Sequence, residues 1–326
     1  MKSLKLSLAN IPTKIQKAER ISDELSKSIF IKRDDQTGTE ISGNKIRKLE
    51  YALKMVIDKG YDTVITTGGV QSNHCRATAA AAAMLGIKSV LLLRINEEAE
   101  IEGNFLLDML FGAEIIYCTP DEYRYSRNEI MESIAQEKGK RGEKCFVIPE
   151  GASFGIGSLG YFEAMQEIVN QEKEMGISFD TIVVATGSGG TYSGLYLANK
   201  YYNLGKRVVG FAVCDDKDYF TDKINEVNIE ALEFLDKKLD ISKDDIEIND
   251  SYTGLGYAIS SSEELDFIRY FASKEGLVLD PVYTVKAMYG LYNEIKSGNF
   301  KESENILFIH TGGLFGLFAK KDQFNL

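Results

Sequence analysis

The sequence predicts an α/β protein built on mostly parallel sheets with helices on both faces. Two observations carry that prediction. Short apolar runs of strand length alternate with longer segments whose apolar residues recur at helical spacing. Several of the runs end in polar or glycine-rich turns, the places where open parallel sheets collect ligands. At 326 residues the chain exceeds one ordinary core, so one large or two intimate domains are expected.

Residues 29–33 read as a short strand, followed by the turn-rich Asp34-Asp35-Gln36-Thr37-Gly38. A helix opens at Ser42-Gly43-Asn44-Lys45, with Ile46, Leu49, Leu53 and Val56 forming one apolar stripe and charged residues on the remaining surface. Residues 63–66 form a second strand, running into Gly68-Gly69-Val70-Gln71-Ser72-Asn73-His74. An alanine-rich helix over 76–85 follows, and Gly86 caps it. Strands at 89–93 and 114–117 flank a helix at 104–110, and 145–148 is a further strand before Pro149-Glu150-Gly151. In the second half a helix over about 160–173 leads to the strand 181–185, the loop Gly187-Ser188-Gly189-Gly190-Thr191 and a helix over 192–201. The strand 207–213 comes next, and the acidic, lysine-rich stretch 215–250 reads as a solvated surface helix. Helices near 262–274 and 285–297 precede the last strand, 306–309, which ends in His310-Thr311-Gly312-Gly313.

Composition narrows the function classes. The start of the chain reads as mixed polar sequence without a secretory apolar run, and no stretch of ~18 apolar residues spans a membrane. A net charge of −11 argues against nucleic acid as a partner. Cys75, Cys118, Cys145 and Cys214 form no C-x-x-C pair, which fits a reducing cytoplasm and leaves no metal site. His74 and His310 are the only histidines, a supply that argues against a histidine-based triad or metal cage.

Lys45 lies in the first turn of its helix, beside the positive end of the helix dipole and close to Arg47 and Lys48. Each influence disfavours the ammonium form and so suits a Schiff-base nucleophile. A solvated basic turn is the plainer alternative. Thr186-Gly187-Ser188-Gly189-Gly190-Thr191 lies between a strand and a helix, where converging N–H groups and the helix end favour a phosphate. It is neither a Walker loop nor G-x-G-x-x-G, and a monophosphate fits it better than a pyrophosphate; a plain tight turn has the same pattern. An imine-forming lysine together with a monophosphate cradle suggests pyridoxal 5′-phosphate.

The chain resembles the fold-type-II pyridoxal-phosphate enzymes (tryptophan synthase β-like), specifically the family joining D-cysteine desulfhydrase and 1-aminocyclopropane-1-carboxylate (ACC) deaminase. The resemblance rests on Gly43-Asn44-Lys45-Ile46-Arg47-Lys48-Leu49-Glu50-Tyr51, Gln71-Ser72-Asn73-His74, Pro149-Glu150-Gly151, Leu159-Gly160-Tyr161, Thr186 to Thr191, Asp280-Pro281-Val282-Tyr283-Thr284 and His310-Thr311-Gly312-Gly313. It implies two parallel-sheet, three-layer domains, a large cofactor-binding one from 1–48 plus 155–326 and a small one at 49–154. It implies Lys45 as the cofactor-bearing catalytic lysine, with Thr186, Gly187, Ser188, Gly189, Gly190 and Thr191 around the phosphate. Asn73 would meet the ring hydroxyl, Ser72, Asn73 and His74 the substrate carboxylate, and Tyr283 the cofactor ring or substrate. Read without the resemblance, Ser72 and Asn73 are helix caps and Tyr283 is packing. A homodimer is implied as well.

In this family ACC deaminases carry Glu and Leu where this chain has Thr284 and Thr311, whereas the desulfhydrases carry threonines and tend to have His at position 74. Neutral hydroxyls at the pyridine nitrogen suit prompt expulsion of a β-leaving group. The expected reaction is therefore α,β-elimination: D-cysteine to hydrogen sulfide, pyruvate and ammonia. ACC ring opening, elimination from another β-substituted amino acid such as L-cysteate, and a non-catalytic cofactor carrier are the alternatives.

Overall fold

Alternating strands and helices sort into two sheets in the computed structural model, which describes residues 4–96 and 99–324. The first half comprises β1 (Ile15–Lys17), α1 (Glu19–Leu25), β2 (Ser28–Lys32), α2 (Lys45–Asp58), β3 (Thr63–Gly69), α3 (Asn73–Leu85), β4 (Lys88–Arg94), α4 (Gly103–Leu110), β5 (Glu114–Cys118), α5 (Pro120–Gly139) and β6 (Cys145–Val147). The second half comprises α6 (Gly155–Met175), β7 (Thr181–Thr186), α7 (Gly190–Tyr201), β8 (Arg207–Ala212), α8 (Lys217–Leu232), β9 (Glu247–Asn249), α9 (Ser262–Glu275), α10 (Thr284–Lys296), β10 (Asn305–Ile309) and α11 (Leu314–Phe318).

Four strands form an all-parallel sheet in the order β5-β4-β3-β6. The other six follow the order β1-β2-β10-β7-β8-β9, parallel except for the edge strand β1. Alternate side chains leave opposite faces of a strand. Ile29 and Ile31 accordingly join Phe211, Phe271 and Met288 beneath α1, α9 and α10, while Phe30 joins Tyr161, Leu195 and Phe220 beneath α6, α7 and α8. Each such buried side chain contributes roughly 1.5–3 kcal/mol. The last strand, β10, enters between β2 and β7. Parallel pairing then brings the loops after β2, β10 and β7 to one sheet edge, although they lie far apart in the chain.

Several boundaries move for identifiable reasons. The alanine-rich helix starts at Asn73, because the Ser72 side chain caps it by accepting from Cys75 N at 3.2 Å. The stretch 215–250 is not one solvated helix. Within α8, Phe220, Ile224, Val227 and Ala231 make a buried helical stripe hidden by the charged composition, and the later residues supply the edge strand β9. The strongly polar α5 carries almost no apolar stripe and is recognisable mainly by its Thr119/Glu122 capping box. In the first two turns of α2 charged residues turn inward, while Asp58 at its end stays exposed. Arg47, Lys48 and Glu50 are buried beside the apolar residues.

Candidate active site

Lys45 is the first residue of α2, and the turn before it is tied down from three sides. Gly43 N donates to the Asp34 carbonyl at 3.1 Å and to Thr37 Oγ1 at 2.9 Å. Asn44 N donates to the Thr311 carbonyl at 3.1 Å, and Asn44 Nδ2 to Thr191 Oγ1 at 3.0 Å. Gly43 adopts φ +104°, and a Cβ there would lie 2.7 Å from the Thr311 oxygen, so only glycine fits. Burial lowers the Lys45 ammonium to about 8 against the opposing charges of Glu150 and Asp280. The expected depression is thus present, but its cause differs from the neighbouring cations anticipated. Arg47 turns away to Asp34 (Nε to Oδ2 2.8 Å) and Glu167 (Nη1 to Oε2 2.9 Å), forming a buried cluster with Lys32 and Tyr161.

The glycine loop joins β7 to α7, and Gly189 supplies the left-handed turn (φ +83°) that opens the helix. The first N–H groups of a helix have no partner within it. Of these, Gly190 N donates to Ser153 Oγ at 3.2 Å. Ser153 Oγ also lies 2.8 Å from Ser188 Oγ and accepts from Lys48 Nζ at 3.1 Å. Burial, then the charge of Lys45, holds the Lys48 ammonium well below its ordinary range. Thr186 Oγ1 is buried with no partner among the described residues. A helix head, a buried lysine lacking a counter-charge and an unsatisfied hydroxyl together match a phosphate monoester dianion.

Lys45, Asn73, Thr186, Gly187, Ser188, Gly189, Thr191, Tyr283 and Thr311 line one cavity. Its opposite wall is the Tyr283 ring, whose centroid lies 5.8 Å from Lys45 Nζ. A Cβ on Gly187 would sit 2.9 Å from that ring, so the absence of a side chain there keeps the floor of the cavity open. Asn73 Oδ1 accepts from Asn104 Nδ2 at 2.9 Å, which leaves the Asn73 amide N–H groups to face a ligand.

The model of the family described as pyridoxal-phosphate dependent enzyme matches residues 6–312. The chain belongs to that family. A bifunctional D-cysteine desulfhydrase/ACC deaminase of Arabidopsis thaliana is 44% identical over 97% of this chain and 80% of its own length. A putative ACC deaminase of Thermotoga maritima is 44% identical over 97% of this chain and 98% of its own. The solved structure of an ACC deaminase homologue superposes with a TM-score of 0.89, at 41% identity and over 99% of this chain and 95% of that one. O-ureido-L-serine synthase, at 16% identity and TM-score 0.70 over 100% and 97% of the two chains, shares the fold. The molecule is thus a fold-type-II pyridoxal-phosphate enzyme with two sheet domains, and the residues of its cavity fit that cofactor.

Not every expected residue of this pyridoxal-phosphate enzyme faces the cavity directly. Gly190 begins α7 behind the loop, packed on Ser153. Ser72 caps α3. The Thr284 hydroxyl is held by Asp280: it donates to Oδ1 at 2.7 Å and accepts from Asp280 N at 2.6 Å. His74 is buried with Nε2 2.8 Å from Thr66 Oγ1. Thr66 Oγ1 gives its own proton to the Ile148 carbonyl at 2.8 Å, so His74 Nε2 carries the hydrogen and the unpartnered Nδ1 is a bare acceptor. Burial, then the charges of Lys45 and Lys48, keeps this imidazole neutral.

Other site groups had escaped the sequence reading. Asn44 sits within the lysine motif without an assigned role, and Lys48 there figures only as a cation beside Lys45. Asp280 accepts from the backbone N–H groups of Val282, Tyr283 and Thr284 at 3.0, 3.0 and 2.7 Å and so fixes the Tyr283 backbone. Tyr257, which bonds Tyr283 at 2.6 Å between the two hydroxyls, carried no motif. Ser153 is four residues beyond Pro149 in an unremarkable turn, and only folding brings it to Ser188.

Proposed function

We propose that the chain catalyses α,β-elimination from a small amino acid with a β-leaving group, converting D-cysteine to pyruvate, hydrogen sulfide and ammonia. One observation carries this reading: the cavity around Lys45 is lined by Thr311 and, among the described residues, by no carboxylate. When bound, pyridoxal phosphate supplies an electron sink for the developing charge at Cα.

In this reading Lys45 bears the cofactor and its released amine takes the Cα proton, for which a depressed pKa suits it. The loop from Thr186 to Thr191, with Lys48 behind it, holds the phosphate, and Asn73 meets the ring hydroxyl. The head of α3 at Ser72, Asn73 and His74 receives the substrate carboxylate through helix-end N–H groups. Tyr283 closes the opposite side. Thr311 offers a neutral hydroxyl to the ring nitrogen, with Thr284 braced on Asp280 beside it. Loss of the Cα proton and of the sulfur as hydrogen sulfide leaves 2-aminoacrylate, which water converts to pyruvate and ammonia. The names of the Arabidopsis and Thermotoga relatives support ACC ring opening as a second reading.

We further propose division into a large domain of 1–48 plus 155–326 and a small one of 49–154, with the enzyme acting as a cytoplasmic homodimer. Among the described residues no helix is long and apolar enough to cross a membrane.

The test is sulfide and pyruvate release by the purified holoenzyme, with D-cysteine, L-cysteine and ACC assayed in parallel. Sulfide from D-cysteine, abolished in Lys45→Ala, is the expected result. 2-Oxobutyrate from ACC with no sulfide from either cysteine would overturn the elimination reading in favour of the second.

A further inference from the structure

Arg94 ends β4 opposite Gly69, the last residue of β3, and so stands where the chain turns toward the head of α3. A Cβ on Gly69 would lie 3.7 Å from Arg94 Nη2, which places the guanidinium beside that strand end. Its Cζ lies 4.9 Å from the Tyr123 ring centroid and 5.3 Å from that of Tyr257. Contacts with ring faces hold a guanidinium without using its N–H donors. Among the described residues the Arg94 side chain makes no ion pair and no hydrogen bond. Water can satisfy a half-buried arginine, so the cavity it lines decides what those donors are for.

That cavity, of about 290 Å³, shares Asn73 and Tyr283 with the one around Lys45. The charged groups in its wall are Arg94, Lys320 and Asp280. Asp280 is taken up by the backbone N–H groups of Val282, Tyr283 and Thr284 and by the Thr284 hydroxyl. Lys320 donates to the Ala258 carbonyl at 2.6 Å. Positive charge is therefore in excess, and the open donors are those of Arg94. The cavity on the outer side of Arg94 differs, since Asp121, Glu150 and Asp215 offset its three arginines, Arg94, Arg124 and Arg127. There Glu150 accepts from the Tyr123 hydroxyl at 2.6 Å and lies 3.9 Å from Arg127. An uncompensated guanidinium in a concave wall favours a planar or tetrahedral oxyanion.

We propose that Arg94 is a specificity-determining residue that pairs with a negatively charged group on the substrate's Cβ, so that amino acids bearing an oxyanion there are preferred over cysteine. The inference rests on the elimination reading for its chemistry and names the substrate class of that same site. With the substrate carboxylate at the head of α3 and its amine toward Lys45, the side chain extends past Asn73 and Tyr283 into the cavity that Arg94 lines. A sulfonate at Cβ, as in cysteate, is one member of the class. The Cα proton passes to Lys45, the Cβ–S bond breaks with its electron pair leaving on sulfur as sulfite, and 2-aminoacrylate remains. No oxidant or reductant is needed. The charge that Arg94 meets in the bound substrate stays on the departing group, so the pairing persists as the bond breaks.

The experiment compares holoenzymes of wild type, Arg94→Gln and Arg94→Lys by calorimetric titration with aspartate and with 2-aminobutyrate, each as both enantiomers. Aspartate has the charge on Cβ and 2-aminobutyrate does not, and neither carries a leaving group there. Wild type should bind aspartate about tenfold more tightly or better, Arg94→Gln should bring the ratio close to one, and Arg94→Lys should keep part of it. Turnover of cysteate and D-cysteine is followed in parallel as sulfite, sulfide and pyruvate, and Arg94→Gln should lower kcat/KM about tenfold for cysteate and far less for D-cysteine. The inference is overturned if wild type shows no preference for aspartate. It is also overturned if Arg94→Gln weakens both ligands alike, since Arg94 would then serve the α-carboxylate or only position Tyr257. Pyruvate from D-cysteine without a charge preference in binding leaves elimination standing and sinks this inference alone. No pyruvate from either substrate sinks the elimination reading, and the binding ratio still decides the role of Arg94. Should Arg94→Gln not fold, the wild-type preference and its reduction in Arg94→Lys decide the matter.

Discussion

Asn44 Nδ2 donates to Thr191 Oγ1 across 3.0 Å, tying the residue before Lys45 to the head of the helix that follows the glycine loop. The two residues are 147 positions apart, and their bond sets the lysine and the glycine loop at a fixed separation. Removing it in Asn44→Ala is expected to weaken cofactor binding about 5–10-fold, or about 1–1.5 kcal/mol. Absorbance titration of the apoenzyme with pyridoxal phosphate measures this. An unchanged Kd would show that the separation is set by other contacts.

With Lys45 in its proposed role, the pKa of this amine makes cofactor capture depend on pH. Burial lowers the amine to about 8, and Glu150 acts in the opposite direction. The neutral, nucleophilic form therefore gains as pH rises through about 8, so the capture rate of the apoenzyme should climb there and level off above. Glu150→Gln removes a charge that favours the ammonium. Its midpoint should lie lower, with faster capture than wild type at pH 7; stopped-flow absorbance at several pH values decides it.

The cluster beneath α2 sets acid stability. Burial alone would raise the Asp34 and Glu167 carboxyls, but Arg47, together with Lys32, overrides it and holds both below the ordinary range. A folded-state pKa below the unfolded one, about 4, stabilises the fold above that value, and the contribution is lost as pH falls through the folded pKa. Stability should be level near neutrality and decline below about pH 4. Asp34→Asn leaves Arg47 short of a buried counter-charge and should cost about 3–5 kcal/mol at pH 7, with a smaller difference at pH 3. Urea unfolding at both pH values is the measurement.

Thr284→Glu tests the proposed division between thiol elimination and ring opening. Combined with Thr311→Leu, it should raise ACC turnover and depress sulfide release; if neither changes, these positions do not choose the reaction. The structure adds a cost for the single change. It breaks the bonds of the Thr284 hydroxyl to Asp280 N and Oδ1 and buries a second carboxylate beside the first, about 2–3 kcal/mol. A lower Tm for Thr284→Glu checks that part separately.

The sequence by itself determined the strand–helix alternation, the cofactor class, Lys45 at the start of its helix and the glycine loop at the head of another. Those features are local: hydrophobic period, glycine placement and motif order are written along the chain and need no folding to be read. Helix α8 and strand β9 were obscured because a buried stripe inside charged composition is visible only once a partner surface is known. Tertiary structure alone decided that burial, and not Arg47, tunes Lys45, that Lys48 and Ser153 stand behind the glycine loop, and that the Thr284 hydroxyl belongs to Asp280. The reason is physical. Desolvation and the choice among competing hydrogen-bond partners depend on what lies around a group in space, and insertion of β10 between β2 and β7 brings together neighbours that sequence spacing does not encode.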